Sequence, residues 1–387
     1  MGTYAARGRA REALIGLAGG EPDSDSFRRE AIAILGRAVG VDGWGWLLTD
    51  PGAGLPTRDF SENVVVDQAL RRFFLMVPRS WDQPAAPVGR PQRERSAASV
   101  LPATTLSAAT GGDLQRDLGW REVFGPAGVG DKMRVQLSAG GVCWALLHLH
   151  RDGSSRHYSE DDTEFVADVA PLLARRVRAD LRALGPRAEA PAPELGTIIL
   201  DKDLSLVAAT EQAWRWVEIL GIPGPNDAEP LPGTVYAVAA HVAASPQRPQ
   251  QPARVRLRTA GGRWMVIRAA PLATGSRVPA GYAVTLEAAP AEDLAPLLMR
   301  AWGLTRRERE VASLVINGLA TEDMAAALFI SVNTIRDHLK AIFAKVGVSR
   351  RRDLAAALTT GTSALSPQQT PRGDGAAPAR AAPWPSE

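Results

Sequence analysis

The stretch LTRREREVASLVINGLATEDMAAALFISVNTIRDHLKAIFAKVGVSRRRDLAAAL, residues 304–358, decides how the chain is read. Four helices can be placed in it from capping and periodicity alone. Thr305 and Glu308 have the spacing of a capping box, Leu304, Val311, Leu314 and Val315 form one apolar face, and Asn317-Gly318 ends the first helix. Thr321 is expected to cap a second helix, with Met324, Ala325 and Leu328 inward. After a tight connection at Phe329-Ile330, Ser331 caps a third, in which Ile335, Leu339, Ile342, Phe343 and Val346 recur at helical spacing until Gly347 stops it. A short fourth helix from Ser349 offers Leu354 and Leu358.

The second and third of these helices, joined by a short turn with the small Ala325 at their crossing, form a helix-turn-helix. The apolar stripe of the third helix leaves Asn333, Arg336, Asp337 and Lys340 outward. Such a face suits a major groove: Arg and Lys donate to guanine O6 and N7, Asp accepts from cytosine N4, and hydroxyls and free N–H groups at the helix start bond phosphates. Arg306, Arg307, Lys345 and Arg350 to Arg352 flank it and suit contacts that position without specifying.

The segment strongly resembles the LuxR-type (FixJ/NarL-type) DNA-binding domain. The matching residues are Leu304-Thr305, Arg307 to Val311, Gly318-Leu319, Ala325, Leu328, Ile330-Ser331, Thr334-Ile335, His338, Ile342, Lys345 and Gly347-Val348. The resemblance covers about 60 of 387 residues. It implies a dimeric transcription factor reading an inverted repeat, with the fourth helix as dimer contact. It also implies Arg336, Asp337 and Lys340 facing bases, with Thr334 and Lys345 facing phosphate. The expected phosphate set is completed by Arg306, Arg307, Thr321, Ser331, Asn333 and Arg350. Asp337 departs from the common pattern, because it presents an acid to the DNA.

At 387 residues the chain has room for two or three domains. Pro- and Ala-rich stretches at 185–196 and 288–296 read as linkers, so the expected architecture is multidomain: an α+β block at 27–184, a second α+β block at 195–288, the all-α four-helix domain at 299–360, and a disordered tail at 361–387. The first block reads helix, strand, irregular insert, hairpin and long exit helix. Its hairpin pairs Met133, Val135 and Leu137 with VCWALLHLH across Gly140-Gly141, and Pro171 is expected to kink or restart the exit helix. This order resembles a GAF-type sensor domain. The second block reads ββα then βββ, with Trp214, Val217 and Leu220 inward on its helix, and resembles a PAS-type domain. GAF-like, PAS-like and LuxR-type blocks in this order are similar to a group of actinobacterial regulators. Asp50 ends WGWLLTDPG without the acidic cluster and lysine of a phospho-acceptor domain.

Other chemistries are poorly represented. His148 and His150 alternate on a strand, with His157 beyond, and without a carboxylate partner they read as a strand end meeting solvent rather than a metal site. The single cysteine, Cys143, reads as a buried structural thiol, and a reducing compartment follows. The ten tryptophans read as core packing. No phosphate loop, nucleophile elbow or paired-carboxylate signature is present, so no catalytic residue, metal or cofactor is assigned. The N-terminal ALIGLA is shorter than a secretory core, which makes the cytoplasm the expected location. Expected partners are double-stranded DNA, a second copy of the chain, RNA polymerase and an unidentified small-molecule effector, with no membrane. The rivals are a sigma-factor-like initiation protein, which would need a helical upstream region, and an enzyme with a regulatory tail, which would need a catalytic constellation.

Charge distribution agrees with the motif. The net charge is +3, but residues 299–360 hold ten basic against six acidic side chains, so +4 falls there and −1 on the remainder.

Overall fold

A computed structural model describes residues 2–20, 23–62, 70–76, 102–183, 191–222, 230–244, 253–273 and 279–361. The expected tail from Thr362 and the first half of the 185–196 linker, residues 185–190, lie outside the described residues.

The N-terminal unit comprises α1 (Gly2–Gly19), α2 (Ser24–Val39), β1 (Gly43–Asp50), β2 (Leu55–Glu62), α3 (Leu70–Met76), β3 (Ala103–Thr105), α4 (Leu106–Thr110), β4 (Val129–Ala139), β5 (Val142–Asp152) and α5 (Glu160–Ala183). Its sheet runs β2-β1-β5-β4-β3 with antiparallel neighbours. The middle unit comprises β6 (Gly196–Leu200), β7 (Leu206–Ala209), α6 (Glu211–Leu220), α7 (Gly233–Ala243), β8 (Ala253–Arg258), β9 (Trp264–Ala273) and β10 (Pro279–Ala288), with its sheet ordered β7-β6-β10-β9-β8. Renumbered within each unit, both sheets share the order 2-1-5-4-3. The β4–β5 hairpin turns at Gly140 and Gly141, both at positive φ (66° and 73°), which matches the twist of a two-residue hairpin loop. Among the described residues, no helix is long and apolar enough to cross a membrane.

Several expectations change. The insert after β1 contains β2, and α1 precedes the expected first block, packed on α2 and α5 with Leu14 fully buried. Helix α5 runs through Pro171 as one element. On α6 the buried residues are Ala213, Trp216 and Leu220, whereas Trp214 is 39% exposed, because the inward stripe runs through Ala213 and Trp216, one residue earlier than Trp214 and Val217, and shares only Leu220 with the expected pattern. Residues 288–296 are not a linker. Most of them belong to α8 (Ala291–Ala301), whose Leu294, Leu297, Leu298 and Met299 are buried, and this apolar stripe carries the helix past Pro296. The histidines at 148 and 150 do not meet solvent. They are buried opposite Arg134 and Lys132 across the hairpin, and burial, with the charges of Lys132 and Arg134, holds the His148 imidazole well below its usual proton affinity. Cys143 has its thiol pushed up to about 11 by burial, and its Sγ donates to Ala145 O, which leaves it a poor nucleophile.

The two sheet units share packing. Helix α7, apolar on every side, lies against the middle sheet and also against β2 and α3, and Thr234 Oγ1 donates to Thr57 O at 2.8 Å. Beside this seam sits a buried ion pair. Asp50, at the end of β1, accepts from the Arg256 backbone N–H (2.8 Å) and from Arg256 Nε (2.6 Å), and its other oxygen pairs with the same guanidinium. Asp50 and Arg256 are 1% and 5% exposed. Arg256 also donates to Asp293 O at 3.0 Å, and the Asp293 carboxylate on α8 pairs with Arg254 and Arg268. This network connects both sheets to the helix that leads into the C-terminal domain.

Removing one partner of such a pair strands the other in a dry site. Arg256→Met is expected to cost about 3–5 kcal/mol in urea unfolding of the full chain, and adding Asp50→Leu should recover part of that loss. Additive losses would show that the two groups are not coupled.

Candidate nucleic-acid interface

The C-terminal helices are α9 (Arg306–Ile316), α10 (Thr321–Leu328), α11 (Val332–Val346) and α12 (Arg351–Thr359). The capping box is formed: Glu308 N donates to Thr305 Oγ1, and Thr305 N donates to Glu308 Oε2 at 2.6 Å. Glu308 also receives Lys345 Nζ on both oxygens, at 2.7 and 2.6 Å, and so ties the start of α9 to the end of α11. Burial pushes the Glu308 carboxyl up, but the bonds from Lys345 and Thr305 outweigh it and hold the group below the ordinary glutamate range.

Helix α10 is capped by Ala320 rather than Thr321, which is its first residue. The Thr321 hydroxyl is taken by Arg351, which also donates to Leu319 O, so this threonine serves the packing of α12. At the turn, Phe329 adopts the left-handed conformation (φ 54°) and is 94% exposed. Ser331 then caps α11 by accepting from Thr334 N at 3.1 Å, and its hydroxyl also bonds that of Thr334.

On α11, Ile335, Leu339, Ile342 and Val346 are buried, which fixes the helix's rotation. Asn333, Arg336, Asp337 and Lys340 are exposed on the opposite side, and Arg336 donates to Asn333 Oδ1 at 3.0 Å. The three expected base-facing residues therefore share one open surface. The expected phosphate set divides. Arg306, Ser331 and Arg350 are exposed and Thr334 is half-buried beside them. Arg307 is held between Glu310 and the Leu328 carbonyl, and Lys345 is held by Glu308. Sequence reasoning missed these internal duties, since a basic residue at a helix end carries no sign of which carbonyl it will meet.

Residues 303–358 match the family model "Bacterial regulatory proteins, luxR family". The C-terminal domain is a LuxR-family helix-turn-helix. Similar proteins include two named as HTH-type transcriptional regulators. One, from Aeromonas salmonicida, is 47% identical over 51 residues, which is 13% of this chain and 26% of that protein. The other, from Mycobacterium bovis, is 45% identical over 56 residues, 14% of this chain and 6% of that protein. The chain thus aligns with only a small part of these relatives. Among solved structures, a phage VqmA–DPO complex is 22% identical over 51% of this chain and 93% of its own, with a TM-score of 0.21. The sensor region of a sensor histidine kinase is 16% identical over 63% and 84%, with a TM-score of 0.19.

Two outcomes test the local structure. Because the Glu308 carboxyl is held below its ordinary value near 4.5, its contribution is present above that pH and lost as pH falls through the folded value. The difference in thermal midpoint between wild type and Glu308→Gln should therefore close on acidification; a constant difference would remove the ion pair from the account. Phe329→Asn relieves a left-handed phenylalanine that buries nothing, so it should leave unfolding unchanged or raise stability by up to about 1 kcal/mol.

Proposed function

We propose that the chain is a sequence-specific DNA-binding transcriptional regulator whose C-terminal domain reads DNA under the control of two upstream sensor domains. The observation that carries this reading is the open face of α11. Its apolar side is locked into the domain while Arg336, Asp337 and Lys340 stay exposed on one surface, preceded by the hydroxyls of Ser331 and Thr334 at the helix start. Arg336 and Lys340 are assigned to guanine edges and Asp337 to a cytosine amino group. Arg306 and Arg350, with Ser331, Asn333 and Thr334, are assigned to phosphates. Arg307, Thr321 and Lys345 take a secondary place in that set, because reaching a phosphate requires them to share or leave their internal partners.

The upstream units are assigned as GAF-like and PAS-like sensors, supported by their element order and their five-stranded antiparallel sheets. The regulator is taken to act in the cytoplasm as a homodimer on an inverted repeat and to contact RNA polymerase. The apolar residues of α12, namely Leu354, Ala357 and Leu358, are buried within the chain, where α12 packs on α8, α9 and α11. A dimer contact through α12 therefore uses its outward side, around Arg352 and Ala356.

Genome-wide mapping of bound sites followed by footprinting supplies the operator for the test. On it, Lys340→Ala should cost about 1–3 kcal/mol and relax preference at one base pair, whereas Arg306→Ala should weaken all sequences alike and flatten the salt dependence by about 1 unit. Unchanged binding by Lys340→Ala on the footprinted site would overturn the assigned register.

A further inference from the structure

A cleft of about 450 Å³ lies where the C-terminal domain meets the N-terminal unit. Four cationic side chains line it from four helices: Arg178 of α5, Arg300 of α8, Arg309 of α9 and Lys345 of α11. Among the described residues no carboxylate lines it. Its remaining walls include the Gly140 turn of the β4–β5 hairpin and Trp302.

The charge there is poorly neutralised. Among the described residues, the guanidinium groups of Arg178 and Arg300 have no hydrogen-bond or ion-pair partner, and that of Arg309 donates only to the Leu304 carbonyl. Lys345 alone has an anion, Glu308, standing behind it. Burial, together with the charges of Arg309 and Arg256, lowers the proton affinity of Arg300. The position of Arg178 is built in. Its guanidinium crosses from α5 to the turn after α8, where Gly303 has φ +70° and an added Cβ would lie 3.1 Å from a guanidinium nitrogen. A side chain there would be strained at that φ and would press on the arginine's end.

We infer that this cleft is a binding site for a small molecule carrying two or more adjacent phosphates, bridging the sensor portion and the DNA-reading domain. Three guanidinium forks and one ammonium converging on one space match the geometry and charge of a polyphosphate better than a single carboxylate. The volume falls in the range of small-ligand sites, and Trp302, which carries the Arg182 guanidinium over its ring at 5.1 Å, forms part of the wall. Occupancy would offset the repulsion between Arg300 and Arg309 and fix α9 and α11 against α5. Its regulatory consequence rests on the proposed DNA-binding function, but the binding does not.

The test is titration calorimetry on the full chain at about 0.15 M salt, with pyrophosphate, ADP and, at matched ionic strength, sulfate. The expected result is one site for pyrophosphate and ADP, with no saturable heat from sulfate. Tighter binding of ADP assigns a nucleotide, and equal affinity assigns the polyphosphate alone. Arg178→Ala and Arg300→Gln should each weaken binding by about tenfold or more, while the remote exposed Arg116→Ala should not. Folding of each variant is checked by circular dichroism. Absence of saturable binding by the folded wild type, or equal affinity in the Arg178 and Arg300 variants, overturns the proposal. So does loss of DNA affinity in Arg178→Ala without small-anion binding, which would give the cleft to the DNA backbone. Because calorimetry requires no DNA, a failure of the DNA-binding reading would not be mistaken for a failure here.

Discussion

The arrangement of the chain depends on one buried carboxylate. Asp50 sits at the last position of β1, buried, where it accepts from the Gly52 N–H of the following turn at 2.7 Å and takes its countercharge from Arg256, 206 positions later in the sequence. Displacing one sheet against the other would separate the two charges in a buried site and leave each with only its neutral backbone partners, the Gly52 N–H for Asp50 and the Asp293 carbonyl for Arg256. The pair therefore acts as a positional constraint as much as a source of stability. Arg256 passes the constraint on by binding the Asp293 carbonyl, and Asp293 in turn gathers Arg254 and Arg268.

Asp293 lies in the first turn of α8, and through it the network sets where the DNA-reading domain begins. The other end of α8 packs into the C-terminal helices, with Met299, Ala301 and Leu304 buried in the same apolar cluster as Val311 and Leu354. Helix α8 is thus held by ion pairs at one end and by packing at the other, and the turn at Gly303 joins it to α9 beside the cationic seam of Arg178 and Arg300.

The sequence was most legible where structure is local. The capping box at Thr305, the Ser331 cap and the α11 stripe each relate residues three or four positions apart, so short-range pattern determines them. The β4–β5 hairpin was legible for the same reason. What escaped was decided over distance. Residues 288–296 carry two prolines and read as a linker, yet they lie mostly in a helix because α5 and α12 offer its leucines a surface. Helix α7 is apolar on all sides, and without a stripe there is no period to read. Trp214 and Trp216 could each point inward by spacing, and only the opposing sheet chooses Trp216. On α11, the exposure of Arg336, Asp337 and Lys340 followed from the stripe, whereas the internal duties of Arg307, Lys345 and Arg351 did not.

Those duties change what the charge count means. Ten basic residues fall between 299 and 360, a number that by itself implies a broad electrostatic footprint on DNA. Arg307, Lys345 and Arg351 hold the domain together, and Arg300 and Arg309 face the seam with the N-terminal unit. Arg306, Arg336, Lys340, Arg350 and Arg352 remain outward. Since each neutralised phosphate releases about 0.9 of a counterion, the salt dependence available to one domain is set by these outward groups and not by the full basic count. Half of the positive charge that marks the segment as DNA-binding in the sequence is spent on holding it in shape and on lining the seam with the rest of the chain.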